Sequence, residues 1–248
     1  MNLNIPYLET DNKLLNDAYR IAAGDIVGNI VYYQNGLLTE EKPCMIAGLD
    51  YNTPWTRDTA INIWNALSIL SPEVSKNTLL AVLEEEEGSI YIGGQYWDSI
   101  IWMIGAREYC RFHKDDNFYR LAFEAGRNSV HRLEEDEFDE EDGLFRGPAV
   151  YGDGIAAYPD KYSKCPNQGS GILEWVDYPG NPVYPKGYGI PMKALSTNCV
   201  YFKAYEILAE MAHALGEPAK EFEEKAAAMK KSINKNFWNE KRGSYDYL

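Results

Sequence analysis

The sequence predicts an all-α protein built from about seven helices in hairpin-like pairs. Three observations predict it. Apolar residues recur at three- and four-residue spacing through most of the chain, and no period-two run is long enough to build a sheet. Gly, Pro, Asn-Gly and Ser-Pro then punctuate the helical runs at intervals that suit one helix each.

The first helix is expected over residues 11–35. Thr10 or Asp11 caps it, and Leu14, Leu15, Ala18, Ile21, Ala22 and Ile26 share one face. Asn35-Gly36 ends it. Pro54 forbids a helix through the loop before Thr56, so the second helix is expected over 59–70, where Ser71-Pro72 stops it. Pro72 suits the first turn of a third helix reaching residue 87, with Val74, Thr78, Leu79 and Val82 inward. Its tail, Glu84 to Glu87, reads as a solvated helix end closed by Gly88.

A fourth helix is expected over 96–113 and a fifth over 117–133. The acidic run 134–142 lacks the alternating ligand spacing of a calcium loop and reads as a solvated turn. From 142 to 192 Gly, Pro and Tyr dominate and the helical period is lost. Structureless stretches this long inside compact domains are usually functional. Two helices close the chain. Ser196 or Asn198 caps one, with Val200, Ala204, Ile207, Leu208, Met211 and Leu215 inward. Pro218 opens the other, with Phe222, Ala226, Met229, Ile233 and Phe237 inward. Residues 1–248 read as a single domain.

Charge and cysteine usage exclude several function classes. Acidic residues number 38 against 24 basic ones, a net charge of −14 that repels phosphate backbones and anionic lipid. Neither nucleic acid nor membrane is an expected partner, and no apolar run approaches the ~20 residues of a spanning helix. The four cysteines are dispersed without CxxC spacing, and His113, His131 and His213 form no ligand pair. No metal or cofactor is therefore expected. Unpaired thiols and an N-terminus without a signal-peptide pattern favour the cytoplasm.

Three loop segments stand out as one candidate site. The first carries Tyr51, Trp55, Arg57 and Asp58, the second Tyr96, Trp97 and Asp98, and the third Arg146, Tyr151 and Asp153. They share aromatic rings and carboxylates and lack Lys, His and Cys. Neutral polyols are held in that way: carboxylates accept hydroxyl hydrogens, and ring faces stack on sugar C–H surfaces. Glycoside hydrolysis needs two carboxyl groups, one protonated. Asp153, flanked by Gly152 and Gly154 and next but one to Tyr151, is the best acid candidate. For each segment the plain alternative is local: an Arg57–Asp58 ion pair at a helix start, or a Gly-Asp-Gly turn.

The order of these segments carries a resemblance. Trp55-Thr56-Arg57-Asp58-Thr59 resembles the W-x-R-D-T signature of six-hairpin glycosidases, closest to the glucosidase part of glycogen-debranching enzymes and to glycoside hydrolase family 63. Trp97-Asp98 to Trp102 looks like the short element that follows it there. Asp142-Gly143-Leu144-Phe145-Arg146 looks like the D-G-L-x-R segment that leads to the acid. The resemblance implies an (α/α)6 toroid and an inverting mechanism on a neutral, α-linked glycoside. Arg57 and Asp58 would hold the sugar, with Trp55, Tyr96 and Trp97 stacked around it and Asp153 as the acid. Glu174 and Trp175 would line the pocket. The family's base normally lies beyond the equivalent of Leu248, with Glu174 or Asp177 as substitutes. About seven of twelve helices imply a portion of a longer domain, whose incomplete edge would favour self-association. The competing expectation is a carbohydrate-binding or structural α/α module without catalysis.

Overall fold

Seven helices and four short β-hairpins alternate along the computed structural model, which describes residues 5–48, 50–94, 98–147, 149 and 192–247. The helices are α1 (Lys13–Gly28), α2 (Thr56–Asn62, prolonged through Ile63–Leu67 and Ser68–Leu70), α3 (Pro72–Ala81), α4 (Asp98–Phe112), α5 (Asp116–Glu137), α6 (Leu195–Leu215) and α7 (Lys220–Phe237). The hairpins pair β1 (Ile30–Tyr33) with β2 (Lys42–Met45) and β3 (Leu83–Glu86) with β4 (Ser89–Ile92). They also pair β5 (Phe138–Asp139) with β6 (Leu144–Phe145) and β7 (Trp238–Asn239) with β8 (Ser244–Tyr245).

One connection rule repeats in chain order. A short turn joins α2 to α3, α4 to α5 and α6 to α7, whereas α1, α3, α5 and α7 each run into a hairpin. The all-α class and the helical pairing are those the sequence predicts.

The chain divides into two compact units, Met1–Gly94 with Ile101–Ala125, and Gln95–Ile100 with Gly126–Leu248. In the first, Ile63 and Leu67 of α2, Val74 and Leu79 of α3, and Trp102 of α4 are buried. Trp102 satisfies its indole N–H on Leu79 O at 3.3 Å, and Phe118 meets the Tyr109 ring edge-on at 5.0 Å. A Cβ at Gly105 would lie 2.8 Å from Ala60 Cα, so α2 and α4 approach at a contact only glycine permits. Asp115 caps α5 by accepting from Phe118 N and pairs with Lys76 at 2.6 Å. That ion pair holds the Asp115 carboxyl below its usual range.

In the second unit α6 and α7 pack as an antiparallel pair closed by Gly216, whose left-handed backbone ends α6. The predicted α7 stripe of Phe222, Ala226, Met229, Ile233 and Phe237 is buried throughout.

Four sequence expectations are corrected. The first helix stops at Gly28, and residues 30–33 form β1. It has no buried residue: Leu14, Leu15, Ala18, Ile21 and Ala22 are exposed. The third helix stops at Ala81, and residues 83–86 form a strand. Glu87 and Gly88 both take positive φ, the two-residue turn that lets Ile90 and Tyr91 pair back on Glu85 and Glu84, and Ile92 on Leu83. The acidic run 134–142 is no plain solvated turn: α5 continues to Glu137, which is buried, and a hairpin follows. Neither Ser196 nor Asn198 caps α6. The cap residue is Ala194, and Asn198 lies within the first turn.

Candidate functional site

The loop before α2 is held by short-range sequence chemistry. Trp55 takes an extended backbone at the helix N-cap, and Thr59 N–H donates to Trp55 O at 2.8 Å to start the helix. Two hydroxyls fix the loop. Tyr33 and Thr53 share a hydrogen bond at 2.8 Å, and Thr56 Oγ1 donates to Gly93 O at 2.9 Å. A π-helical turn, Ile63–Leu67, interrupts α2 two turns later, a feature that recurs near functional sites.

On this frame three of the expected site residues come together. The Tyr51 ring meets the Trp55 ring edge-on at 6.0 Å, and Arg57 Cζ lies 5.0 Å from the Trp55 ring centroid. Cation–π contact of this kind orients a guanidinium without consuming its five donors. Asp58 lies in the first turn of α2 and is partly buried.

Two polar atoms beside this cluster lack a hydrogen-bond partner among the described residues, Trp55 Nε1 and Thr59 Oγ1. An unmet buried donor or acceptor costs about 1–3 kcal/mol. Natural proteins keep few of them. Thr59 was part of the sequence signature, but its orphaned hydroxyl has no sequence signal.

The other expected residues are less gathered. Asp98 is buried in the first turn of α4. Arg146 follows β6; its N–H donates to Glu137 O at 2.9 Å, and its guanidinium lies 3.5 Å from Asp136 O. Tyr96, Trp97, Tyr151, Asp153, Glu174, Trp175 and Asp177 lie outside the described residues.

Sequence reasoning missed the polar network joining α5, α6 and α7. His131 Nε2 and Glu221 Oε1 are 2.9 Å apart, and Tyr205 donates to Glu134 at 2.6 Å. His131, Glu134 and Glu221 have the mutual spacing of a metal ligand set. Lys225 already supplies the cation: its ammonium bonds Glu134 at 2.8 Å and Glu221 at 2.6 Å. The Lys225 bond is also the main cause that lowers the Glu221 pKa. The network is a strut between helices. The thiols of Cys44 and Cys110 are unbridged and pushed up to about 12 by burial, which makes them poor nucleophiles.

Paired helices joined alternately by turns and hairpins define an α/α protein. Residues 98–248 match the family described as mannosylglycerate hydrolase MGH1-like glycoside hydrolase domain, and the chain belongs to that family. No curated protein matches it. No helix among the described residues is long and apolar enough to cross a membrane.

Proposed function

We propose that this chain forms the sugar-holding part of an inverting glycoside hydrolase of the six-hairpin type, within one toroidal domain spanning residues 1–248. The observation that carries this reading is the pair of orphaned atoms, Trp55 Nε1 and Thr59 Oγ1, beside the Tyr51, Trp55 and Arg57 cluster. Sugar hydroxyls accept from an indole N–H and exchange hydrogen bonds with a threonine hydroxyl, and ring faces cover sugar C–H surfaces.

In this reading Arg57 and Asp58 orient the glycone; Asp98, Arg146, Tyr96, Trp97, Tyr151, Glu174 and Trp175 are the further sugar contacts that the sequence resemblance implies. Asp153 protonates the leaving oxygen while a second carboxylate activates water on the opposite ring face. Glu174 and Asp177 are the first residues to test as that base. No cofactor enters the scheme. The substrate is an α-linked glycoside, and the family description makes mannosylglycerate the first compound to assay.

The test is hydrolysis of mannosylglycerate and of methyl α-mannoside and α-glucoside, with the first-formed anomer read by NMR. Inversion yields the β-anomer from an α-linked substrate. Asp153→Asn is expected to slow these substrates by roughly 10²–10⁴-fold, the usual worth of a general acid. A glycosyl fluoride, whose leaving group needs no proton, should still turn over. Unchanged hydrolysis of methyl glycosides by Asp153→Asn removes Asp153 from the acid role.

A further inference from the structure

The β3–β4 hairpin carries four consecutive glutamates, Glu84 to Glu87, and all four are exposed. No Lys or Arg occurs from residue 77 to residue 106, so the sequence around them supplies no offsetting charge. Glu84 pairs with Tyr91 across the hairpin. Two residues after Tyr91, Gly93 leaves β4 and begins the connection to α4.

Glu84 is held against the candidate site through that glycine. A Cβ at Gly93 would lie 2.9 Å from the Glu84 carboxyl carbon and 2.9 Å from Val82 O, so a residue without a side chain makes room for the carboxylate. Gly93 N–H donates to Val82 O at 2.9 Å, and Gly93 O accepts from Thr56 Oγ1 at 2.9 Å. The backbone of one residue therefore separates the Glu84 carboxylate from the loop that carries Trp55, Arg57 and Thr59.

Among the described residues Glu84 has no hydrogen-bond or ion-pair partner. Carboxylates at other joints of the fold are taken: Asp115 by Lys76, and Asp139 and Asp142 by Lys193. The acceptors of Glu84 are open, and they lie on the solvent side of the loop, whereas Thr59 is 2% exposed.

We propose that Glu84 is a specificity-determining residue on the aglycone side of the site, selecting glycosides of a neutral polyol over glycosides whose aglycone bears a carboxylate. The inference rests on the sugar-holding reading of the Trp55 loop: a glycone seated on the buried Trp55 and Thr59 groups sends its aglycone outward past Glu84. A carboxylate offers acceptors only, so it takes hydroxyl hydrogens from a polyol and repels a second carboxylate. Two like unit charges about 4 Å apart cost roughly fivefold in affinity even at the dielectric constant of water. Glu85 to Glu87 add charge of the same sign.

The probes are α-mannosylglycerol and α-mannosylglycerate, which share a glycone and differ by a hydroxymethyl group against a carboxylate. Calorimetry at low ionic strength measures both on the 248-residue chain, for the wild type, Glu84→Gln and Glu84→Lys, all at an exposed position. The wild type is expected to bind the glycerol compound about fivefold or more tightly, and added salt to narrow that ratio. Glu84→Gln should narrow it as well, and Glu84→Lys should reverse it. Wild-type binding of mannosylglycerate that equals or exceeds that of mannosylglycerol overturns the proposal, as does a ratio that Glu84→Gln leaves unchanged. Either result leaves the sugar-holding loop standing, because both compounds then bind. Binding of neither compound removes the sugar-holding reading and this inference with it.

Discussion

Arg57 Cζ lies 5.0 Å from the centroid of the Trp55 ring, in a helix-start loop fixed by the Thr56–Gly93 and Tyr33–Thr53 hydrogen bonds. That contact separates two roles of the tryptophan. Trp55→Phe keeps a ring under the guanidinium but removes the indole donor. Trp55→Ala removes both. Sugar affinity by calorimetry is expected to fall by about tenfold for Phe, the worth of one buried hydrogen bond, and by more for Ala. Equal losses would mean that the indole N–H contributes nothing.

Asn198 stitches α6 to β6 through both backbone groups of Phe145. Asn198→Leu leaves a buried donor and a buried acceptor unmet, at about 1–3 kcal/mol each. Urea unfolding should show that loss. Asn198→Asp keeps the acceptor for Phe145 N–H, but only its protonated form can also donate to Phe145 O, so its deficit should be smaller at low pH than at neutral pH.

Gly36 and Gly88 both have positive φ, but their surroundings differ. A Cβ at Gly36 would sit 2.6 Å from Leu80 O and from Leu83 O, whereas nothing lies within 4 Å of one at Gly88. Gly88→Ala should therefore cost only the backbone penalty, about 1–2 kcal/mol. Gly36→Ala adds overpacking of about 1–3 kcal/mol. Thermal or urea denaturation of the two variants side by side checks the ranking.

Lys193 bonds Asp139 at 2.8 Å and Asp142 at 2.5 Å, tying the β5–β6 turn to the segment that enters α6. The hydrogen bond from Lys193 is the chief cause lowering the Asp139 pKa. Burial opposes the charge on Lys193, but its two carboxylate bonds outweigh that and raise its pKa. A lowered carboxyl contributes stability above its unfolded value of about 4 and loses it as pH falls through the folded value. A raised ammonium contributes below about 10.5 and loses it as pH rises further. Lys193→Met should lower stability across that window and flatten its acid limb. Urea midpoints from pH 2 to 7 for both proteins measure the effect; parallel acid limbs would contradict it.

The helices were legible because burial imposes a period. The α7 stripe, the Ser71-Pro72 stop and the Gly216 end all follow from local chemistry. The hairpins were not, because strands of two to four residues leave no period to read. Glu84 to Glu86 show the failure well: a run of glutamates suits a helix by propensity, and only the Glu87-Gly88 turn with Ile90 to Ile92 makes it a strand. The residues of α1 keep a helical period but bury none of it, since a stripe in sequence says nothing about what covers it. At the candidate site the residue types and their order were legible in the Trp55 to Thr59 signature. The orphaned state of Trp55 Nε1 and Thr59 Oγ1 depends on neighbours distant in sequence and was not.

The most direct test of the sugar-holding loop reads the Trp55 indole proton itself. Its NMR resonance, assigned by its disappearance in Trp55→Phe, is followed while mannosylglycerate and methyl α-mannoside are added. A saturable shift of that resonance, lost in Thr59→Val or Arg57→Met, is the predicted result. A sugar that binds and shifts other signals while the Trp55 indole proton stays fixed would contradict the account.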